Sequence, residues 1–372
     1  MNALQAELVE RIRASGPLTL ADYMTSALYD PEHGYYSGGG ERTGWRGDFL
    51  TSPELDPAFG TLWARGIEEI WEMAGRPSSF EVVEVGPGEG GFAAALLDAA
   101  EGAFADALSL TLVEMSPERS ARQVARLGEG IASWAQDVSE VAPLAEGCVF
   151  LNEVLDNQPV HALRVRDGEV LELHVAEDGG ALVEMWRPCD DPSLTTRASE
   201  ASVADTDTIE ISPEAEDLAR TCAGLVGRGA VIFIDYGRDG FRHTGDSLVT
   251  FSAAGVDALR LDDPGRRDIT AHVDWSPIRG VLEETGFTTI GPLRQRHVLQ
   301  VLGAAELDAG WSSRHRETLD EGKGAAAVRM LSRRHALRAL LDPSGLGRLQ
   351  VMAGIKGVAV PGFLHAKEED RP

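Results

Sequence analysis

Residues 80–100, FEVVEVGPGEGGFAAALLDAA, and residues 108–118, LSLTLVEMSPE, decide the fold. The β-branched run Val82, Val83 and Val85 stops at a glycine turn, Gly86-Pro87-Gly88-Glu89-Gly90-Gly91, and an Ala/Leu-rich segment follows. Branched side chains suit a buried strand, glycine supplies positive φ in a tight loop, and Ala and Leu favour a helix. The pattern predicts a strand, a loop and a helix, the unit that holds nucleotide-type ligands. The second apolar run, Leu108–Val113, ends in Glu114, where a carboxylate closing on ribose hydroxyls is expected.

Spacing alone leaves the ligand open, because Gly86, Gly88 and Gly91 also satisfy the dinucleotide fingerprint G-x-G-x-x-G. Charge favours a different ligand. Residues 77–118 contain no Lys or Arg, while Glu81, Glu84 and Glu89 surround the turn. A pyrophosphate at the helix N-terminus would then sit among carboxylates with no compensating cation. S-adenosylmethionine (SAM) carries a sulfonium and an ammonium and no phosphate. On this reading Gly86, Gly88 and Gly90 form the cradle, Glu84 supports the amino-acid end and Glu114 binds the ribose. A dinucleotide, and a packing turn flanked by solvated acids, are the alternatives.

The chain of 372 residues can form one elaborated domain or two smaller ones, and 43% hydrophobic content suffices for a sizeable core. A net charge of −26, from 34 basic and 60 acidic residues, argues against nucleic acid and anionic membrane as partners and suits a cationic one, or simply keeps the surface soluble. Lysine occurs only at Lys323, Lys356 and Lys367, which removes P-loop, Schiff-base and kinase-type lysines from the first 322 residues. Cys148, Cys189 and Cys222 lack C-x-x-C spacing, so a reducing compartment is expected and a structural zinc site is not. No apolar run approaches membrane-spanning length, and the amphipathic start, with Leu4, Leu8 and Ile12 on one face beside Glu7 and Glu10, resembles no targeting peptide. A cytoplasmic location is the expectation.

Along the chain, the turn-rich segment from Pro17 to Phe59 holds every tyrosine but Tyr236 and reads as a functional loop region. A helix from Pro57 to Met73 turns Phe59, Leu62, Trp63, Ile67, Ile70 and Trp71 inward. Then follow a helix near Pro117–Leu127, a short strand near Ile131–Trp134, a strand Cys148–Leu151 and a buried strand ending at Asp235-Tyr236-Gly237. Strands alternating with helices imply an α/β fold with an open, mostly parallel sheet. Two β-like stretches, Leu163–Val175 and Leu182–Trp186, and the acidic stretch Asp190–Asp207 read as an insertion or lid spanning about 163–220. A helix near Pro277–Thr285, a last strand His297–Leu302 and a helical region from Ala304 to Leu341 complete the pattern. The expected division is 1–75 closing over the site, 76–302 as the core, and 303–372 as a helical region.

Seven stretches together resemble the MidA-type SAM-dependent methyltransferases, relatives of a complex I assembly factor and protein arginine methyltransferase. They are DPEHGYY (Asp30–Tyr36), GDFLTSPE (Gly47–Glu54), VVEVGPGEG (Val82–Gly90), LVEMSPE (Leu112–Glu118), LNEVLDNQPV (Leu151–Val160), FIDYG (Phe233–Gly237) and DITAHVDW (Asp268–Trp275). Between the last two, where relatives show a Cys/His-containing segment, this chain has LVTFSAAGVDALR. The resemblance implies a class I, Rossmann-like methyltransferase sheet with N-terminal, inserted and C-terminal additions, and methyl transfer to an arginine of a protein, with a respiratory complex I subunit as the family's target. A monomer or homodimer is expected.

Arginine stays protonated, so an enzyme that methylates it needs carboxylates to dock a planar cation and align one nitrogen. Glu153 and Asp156, in Asn152-Glu153-Val154-Leu155-Asp156 beyond the fourth core strand, are the candidate pair; a helix cap and a structural ion pair are the competing roles. Asn152 is placed with the cofactor. Asp48 and Glu54 are expected to close over the substrate side, with Thr51 and Ser52 offering hydroxyls to the SAM carboxylate, or with Ser52 or Asp56 simply capping the next helix. Asp137 fits an adenine amino contact or a plain loop acid, and Tyr236 and His272 border the substrate channel or assist proton loss, a structural histidine being the alternative. No His/Cys/Asp cluster has metal-ligand spacing. A methyltransferase of a small molecule or modified peptide, a noncatalytic assembly factor with a relict pocket, and an NAD-type oxidoreductase are the rival functions.

Overall fold

The computed structural model describes residues 2–37, 51–201, 208–240, 247–252 and 255–365. The chain divides into two interleaved units. One comprises Glu41–Glu153, Arg220–Tyr236 and Arg279–Pro372; the other comprises Met1–Gly40, Val154–Ala219 and Gly237–Ile278. This replaces the contiguous division at 75 and 302, because long-range strand pairing, which local pattern does not report, gathers each unit from three separate segments.

The first unit is built on a seven-stranded mixed sheet. Its order is Thr288–Arg294, Gln350–Lys356, Val226–Asp235, Leu144–Asn152, Phe80–Val85, Leu108–Val113 and Ser133–Ala135. The strands from Val226–Asp235 to Ser133–Ala135 run parallel, while Gln350–Lys356 is antiparallel to both its neighbours. The inner strands are apolar on both faces, as parallel strands covered by helices require. Helix Ala58–Met73 buries Phe59, Leu62, Trp63, Ile67, Ile70 and Trp71, every residue the 3.6-residue period assigns inward. It meets helix Gly91–Ala99 at Gly60, where a Cβ would lie 2.5 Å from that of Ala95. Phe92 of that helix stacks on Phe150 of the sheet at 4.1 Å between ring centroids, with Trp63 edge-on at 5.1 Å.

Two C-terminal expectations are corrected. Residues His297–Leu302 are not a strand; Gln295–Val301 is a helix that buries Val298 and Leu299, with Leu302 buried just beyond it. Spacing of one and four residues marks a helical face, which a short apolar run hides. The region after 302 is not helical throughout either. Helices Ala304–Asp320 and Gly324–Leu340 lead back to strand Gln350–Lys356, whose first six residues are buried inside the sheet.

The second unit is richer in β structure. Strands Leu18–Thr19, Glu169–Asp178, His161–Arg166 and Ile209–Ile211 form an antiparallel sheet, with Ala181–Pro188 paired to Glu169–Asp178. The first of the two expected β-like stretches is a hairpin that turns at Asp167 and Gly168, both at positive φ. The acidic stretch contains helix Pro192–Glu200, capped by Asp191; residues 202–207 lie outside the description. Helix Ala3–Ser15 buries Leu4, Leu8 and Ile12 as its pattern predicts.

Candidate cofactor site

The parallel strands of the first unit end on one rim. Register pairs Val113 with Val85, Val85 with Leu151, and Asn152 with Ile234, so Glu114, Gly86, Asn152-Glu153 and Asp235 follow adjacent strand ends. Chain order reverses between Phe80–Val85 and Leu144–Asn152. Ligands of open α/β sheets bind at such a reversal, beyond the carboxyl ends of the strands.

The glycine turn needs its glycines. Gly86, Gly88 and Gly90 have φ of 67°, 56° and 78°, a region costly to residues with a Cβ. Gly91 is required for a different reason: a Cβ there would lie 2.6 Å from the Pro53 carbonyl oxygen and 2.7 Å from Glu54 Oε1. The Gly91 N–H donates to Glu54 at 3.1 Å. Burial, reinforced by the Glu54 charge, pushes the Glu84 carboxyl well above the usual carboxylate range, while the Ala93 N–H and Arg126 oppose the shift. The helix N-terminus that would hold a pyrophosphate is thus faced by the carboxyl groups of Glu54 and Glu84.

The charge argument from sequence is corrected in one respect. Cations do reach the turn, from helix Pro117–Leu127: Arg122 pairs with Glu89 at 2.9 and 3.1 Å, and Arg126 with Glu54 at 3.3 Å. They lie C-terminal to residue 118 and neutralise local glutamates. The case against a phosphate rests on the helix N-terminus being taken up by Glu54, which accepts from the Gly91 N–H, and not on an absence of arginine.

The residues fit SAM. Glu84 Oε2 and Asn152 Oδ1 are buried acceptors without a hydrogen-bond partner among the described residues, as a site for an ammonium requires. Glu114 is buried, with Oε1 accepting from the Ser116 N–H at 2.9 Å and Oε2 from Gln123 Nε2 at 3.3 Å. Burial raises its pKa, and the Ser116 N–H, Arg119 and Gln123 hold the rise in check.

Glu153 stands half-buried at φ 53°, a left-handed conformation that costs a non-glycine residue about 1–2 kcal/mol. Its N–H bonds the Ile234 carbonyl at 2.8 Å, and its Oε1 accepts from Asn152 Nδ2 at 2.8 Å and the Ser52 N–H at 3.5 Å. Asp156 belongs to the second unit, where its backbone carbonyl accepts from the Ala271 N–H at 2.9 Å. The two acids expected as one pair thus fall in different units.

Several other expected roles change. Glu54, expected on the substrate side, is held by the Gly91 N–H and Arg126 beside the turn and so also supports the loop. The Ser52 hydroxyl is fully buried and accepts from Gln295 Nε2 at 3.1 Å. Thr51 stands at the N-cap of the short helix Ser52–Leu55 without a side-chain capping bond, and Asp56, two residues before Ala58–Met73, accepts from the Ala58 N–H at 2.8 Å. Asp137 caps the turn Val138–Glu140, accepting from the N–H and hydroxyl of Ser139 at 2.8 and 2.5 Å. Tyr236, on the first unit, has the Arg348 guanidinium 5.0 Å from its ring. His272, in the second unit, lines a cavity of about 30 Å³ with Glu210 and Asp274. Asp48 lies outside the described residues. Gln123, Arg122 and Arg126 were missed; their spacing of four, three and seven residues from Arg119, on a helix that buries Arg119 and Gln123, was the available signal.

The turn, the strand-end acids and the sheet reversal define a SAM-binding enzyme. Residues 62–293 match the family described as "Putative S-adenosyl-L-methionine-dependent methyltransferase". The chain is 32% identical over 340 residues to the Drosophila melanogaster protein arginine methyltransferase NDUFAF7 homolog, mitochondrial, covering 82% of this chain and 76% of that protein. It is 30% identical over 334 residues to the Xenopus tropicalis protein arginine methyltransferase NDUFAF7, mitochondrial, covering 81% and 76%. A Burkholderia thailandensis structure, described as a "likely methyl transferase" bound to S-adenosyl-homocysteine, is similar with TM-score 0.86 and 28% identity, covering 98% of this chain and 95% of that one. The chain belongs to this family of SAM-dependent methyltransferases, the MidA type its motifs resemble. The cytoplasmic expectation is overturned, since the Drosophila and Xenopus relatives are named mitochondrial.

Proposed function

We propose that the chain is a class I methyltransferase that methylates an arginine nitrogen of a protein. Numbered in chain order, the seven strands of the large sheet run 3-2-1-4-5-7-6 in space with the seventh antiparallel, which supports the class. Bound SAM supplies an electrophilic methyl group on a sulfonium. Gly86, Gly88 and Gly90 would admit its backbone-hugging methionine part, Glu84 and Asn152 its ammonium, and Glu114 its ribose.

The observation that carries the acceptor assignment is Glu153. It sits at the strand reversal beside the glycine turn, in a strained conformation held by Asn152 and the Ser52 N–H. A carboxylate there can receive the guanidinium donors and keep the positive charge on the nitrogens that do not react. The names of the relatives support a protein arginine as acceptor. The family resemblance carried by the chain's own motifs makes a respiratory complex I subunit the first protein to assay.

Purified enzyme, SAM and arginine-containing proteins should yield methylarginine by mass spectrometry. Glu153→Gln should lower turnover at least about tenfold, roughly 1.4 kcal/mol of transition-state stabilisation, with SAM affinity nearly intact. Methylation of small molecules alone, or normal turnover by the variant, would sink the proposal.

A further inference from the structure

We propose that Gln123 is the positioning residue for the cofactor ribose, a single amide that fixes the shape of the site from three sides. Its side chain is fully buried on helix Pro117–Leu127. Nε2 donates to the Gly88 carbonyl at 2.8 Å and to Glu114 Oε2 at 3.3 Å, and Oε1 accepts from Trp134 Nε1 at 3.0 Å. The partners belong to the ends of three adjacent strands: the glycine turn, the residue after Leu108–Val113, and the strand Ser133–Ala135.

Chemistry fixes which way the amide faces. The indole N–H can only donate and the Gly88 carbonyl can only accept, so the oxygen must face Trp134 and the nitrogen Gly88. With Ser116 bonded to Oε1 and Gln123 to Oε2, both oxygens of Glu114 are anchored and the carboxylate plane cannot rotate. Each oxygen keeps acceptor capacity for a ribose hydroxyl. Glutamate at 123 would lose both donors and set a second carboxylate against Glu114. An apolar side chain would leave the carbonyl, the carboxylate and the indole each short of a partner.

The inference rests on Glu114 as the ribose ligand. Calorimetry with S-adenosylhomocysteine and its 2′-deoxy and 3′-deoxy analogues separates the two. In the wild type, loss of a ribose hydroxyl should weaken binding about tenfold or more. Gln123→Met, which keeps the volume, should shrink that ratio to within about threefold; a merely structural residue would weaken all three ligands alike and leave the ratio unchanged. Gln123→Glu should bind more weakly than Gln123→Met at neutral pH and recover as pH falls and the added carboxyl takes up a proton. Trp134→Phe keeps the ring, removes only the indole donor and should reduce the ratio partially, which keeps the test open if position 123 tolerates no change. A wild-type ratio near one, or its survival in Glu114→Ala, would remove the ribose reading itself and the inference with it. A normal wild-type ratio that Glu114→Ala abolishes but Gln123→Met and Trp134→Phe preserve would overturn the role of Gln123 alone.

Discussion

Two polar assemblies in this molecule carry family motifs, and they use their polar atoms in opposite ways. In the β-rich unit, Tyr29 just before DPEHGYY, Tyr36 within it, Asn157 of LNEVLDNQPV and Asp268 of DITAHVDW meet in a hydrogen-bonded network. Tyr29 donates to the Asn157 carbonyl at 3.1 Å, Tyr36 to Asn157 Oδ1 and Asp268 Oδ1 at 2.9 and 3.0 Å, and Asn157 Nδ2 to Asp268 Oδ1 and the Ile269 carbonyl at 3.0 and 3.2 Å. Burial, with the Asp268 charge, pushes both tyrosine hydroxyls far up, so they remain donors. At the rim of the large sheet, by contrast, Glu84 Oε2 and Asn152 Oδ1 are buried acceptors with no partner among the described residues. A satisfied network specifies a fold, whereas acceptors kept out of water and left unmet suit a ligand. Tyr29 and Tyr36, in the segment read from sequence as a functional loop region, serve the fold in this way; residues 38–50 of that segment lie outside the described residues.

The largest expected effect is on the rim. Gly88→Val places a branched residue at φ 56° where the cofactor is cradled, and should weaken SAM binding at least about a hundredfold in a protein that keeps its circular dichroism spectrum. Unchanged affinity would break the comparison, because the rim would no longer be the ligand site.

Asn157→Leu tests the other side. It removes the Asn157 bonds to Tyr36, Asp268 and the Ile269 carbonyl from the interior and should cost about 2–4 kcal/mol in urea unfolding, with SAM affinity altered by less than about threefold. Retained stability with lost SAM binding would transfer the network from fold to function.

A smaller effect, about 3 kcal/mol at most, is expected at Glu210 in the β-rich unit. Burial raises this carboxyl from 4.5 to about 7, while the Ser247 hydroxyl and Arg238 oppose the shift. The folded protein holds the proton more tightly than the unfolded chain. Its contribution is therefore greatest below about pH 4.5 and is lost as pH rises toward about 7, by about 1.4 kcal/mol for each pH unit crossed. Glu210→Gln should flatten that slope and make the protein more stable than wild type at pH 8 in denaturant titrations. An unaltered slope would mean that Glu210 is ionised and compensated, which would sharpen the contrast with Glu84.

Much of the site was legible where function depends on neighbours in the chain. The glycine turn, Glu114 after its strand, and the inward face of helix Ala58–Met73 follow from residue type and period. The error at His297–Leu302 came from a short apolar run that fits both periods. Strand Gln350–Lys356 was hidden because its partner, Val226–Asp235, lies more than a hundred residues earlier. Arg122 and Arg126 were missed because their reach to the turn shows only in helical spacing on the following helix, beyond the turn's own neighbours in the chain.

By itself the sequence determined the strand-turn-helix unit, the acidic strand ends and the family, because these depend on backbone conformation and on motifs a few residues long. Only the tertiary structure decided which carboxylates are ligand candidates and which are supports. Glu54 and Asp137 are held by N–H groups and by neighbouring side chains, while Glu84 is buried with an oxygen unmet. Nothing in the residue type distinguishes them, because an acid's role is set by the donors that the fold brings to it and by the water it excludes.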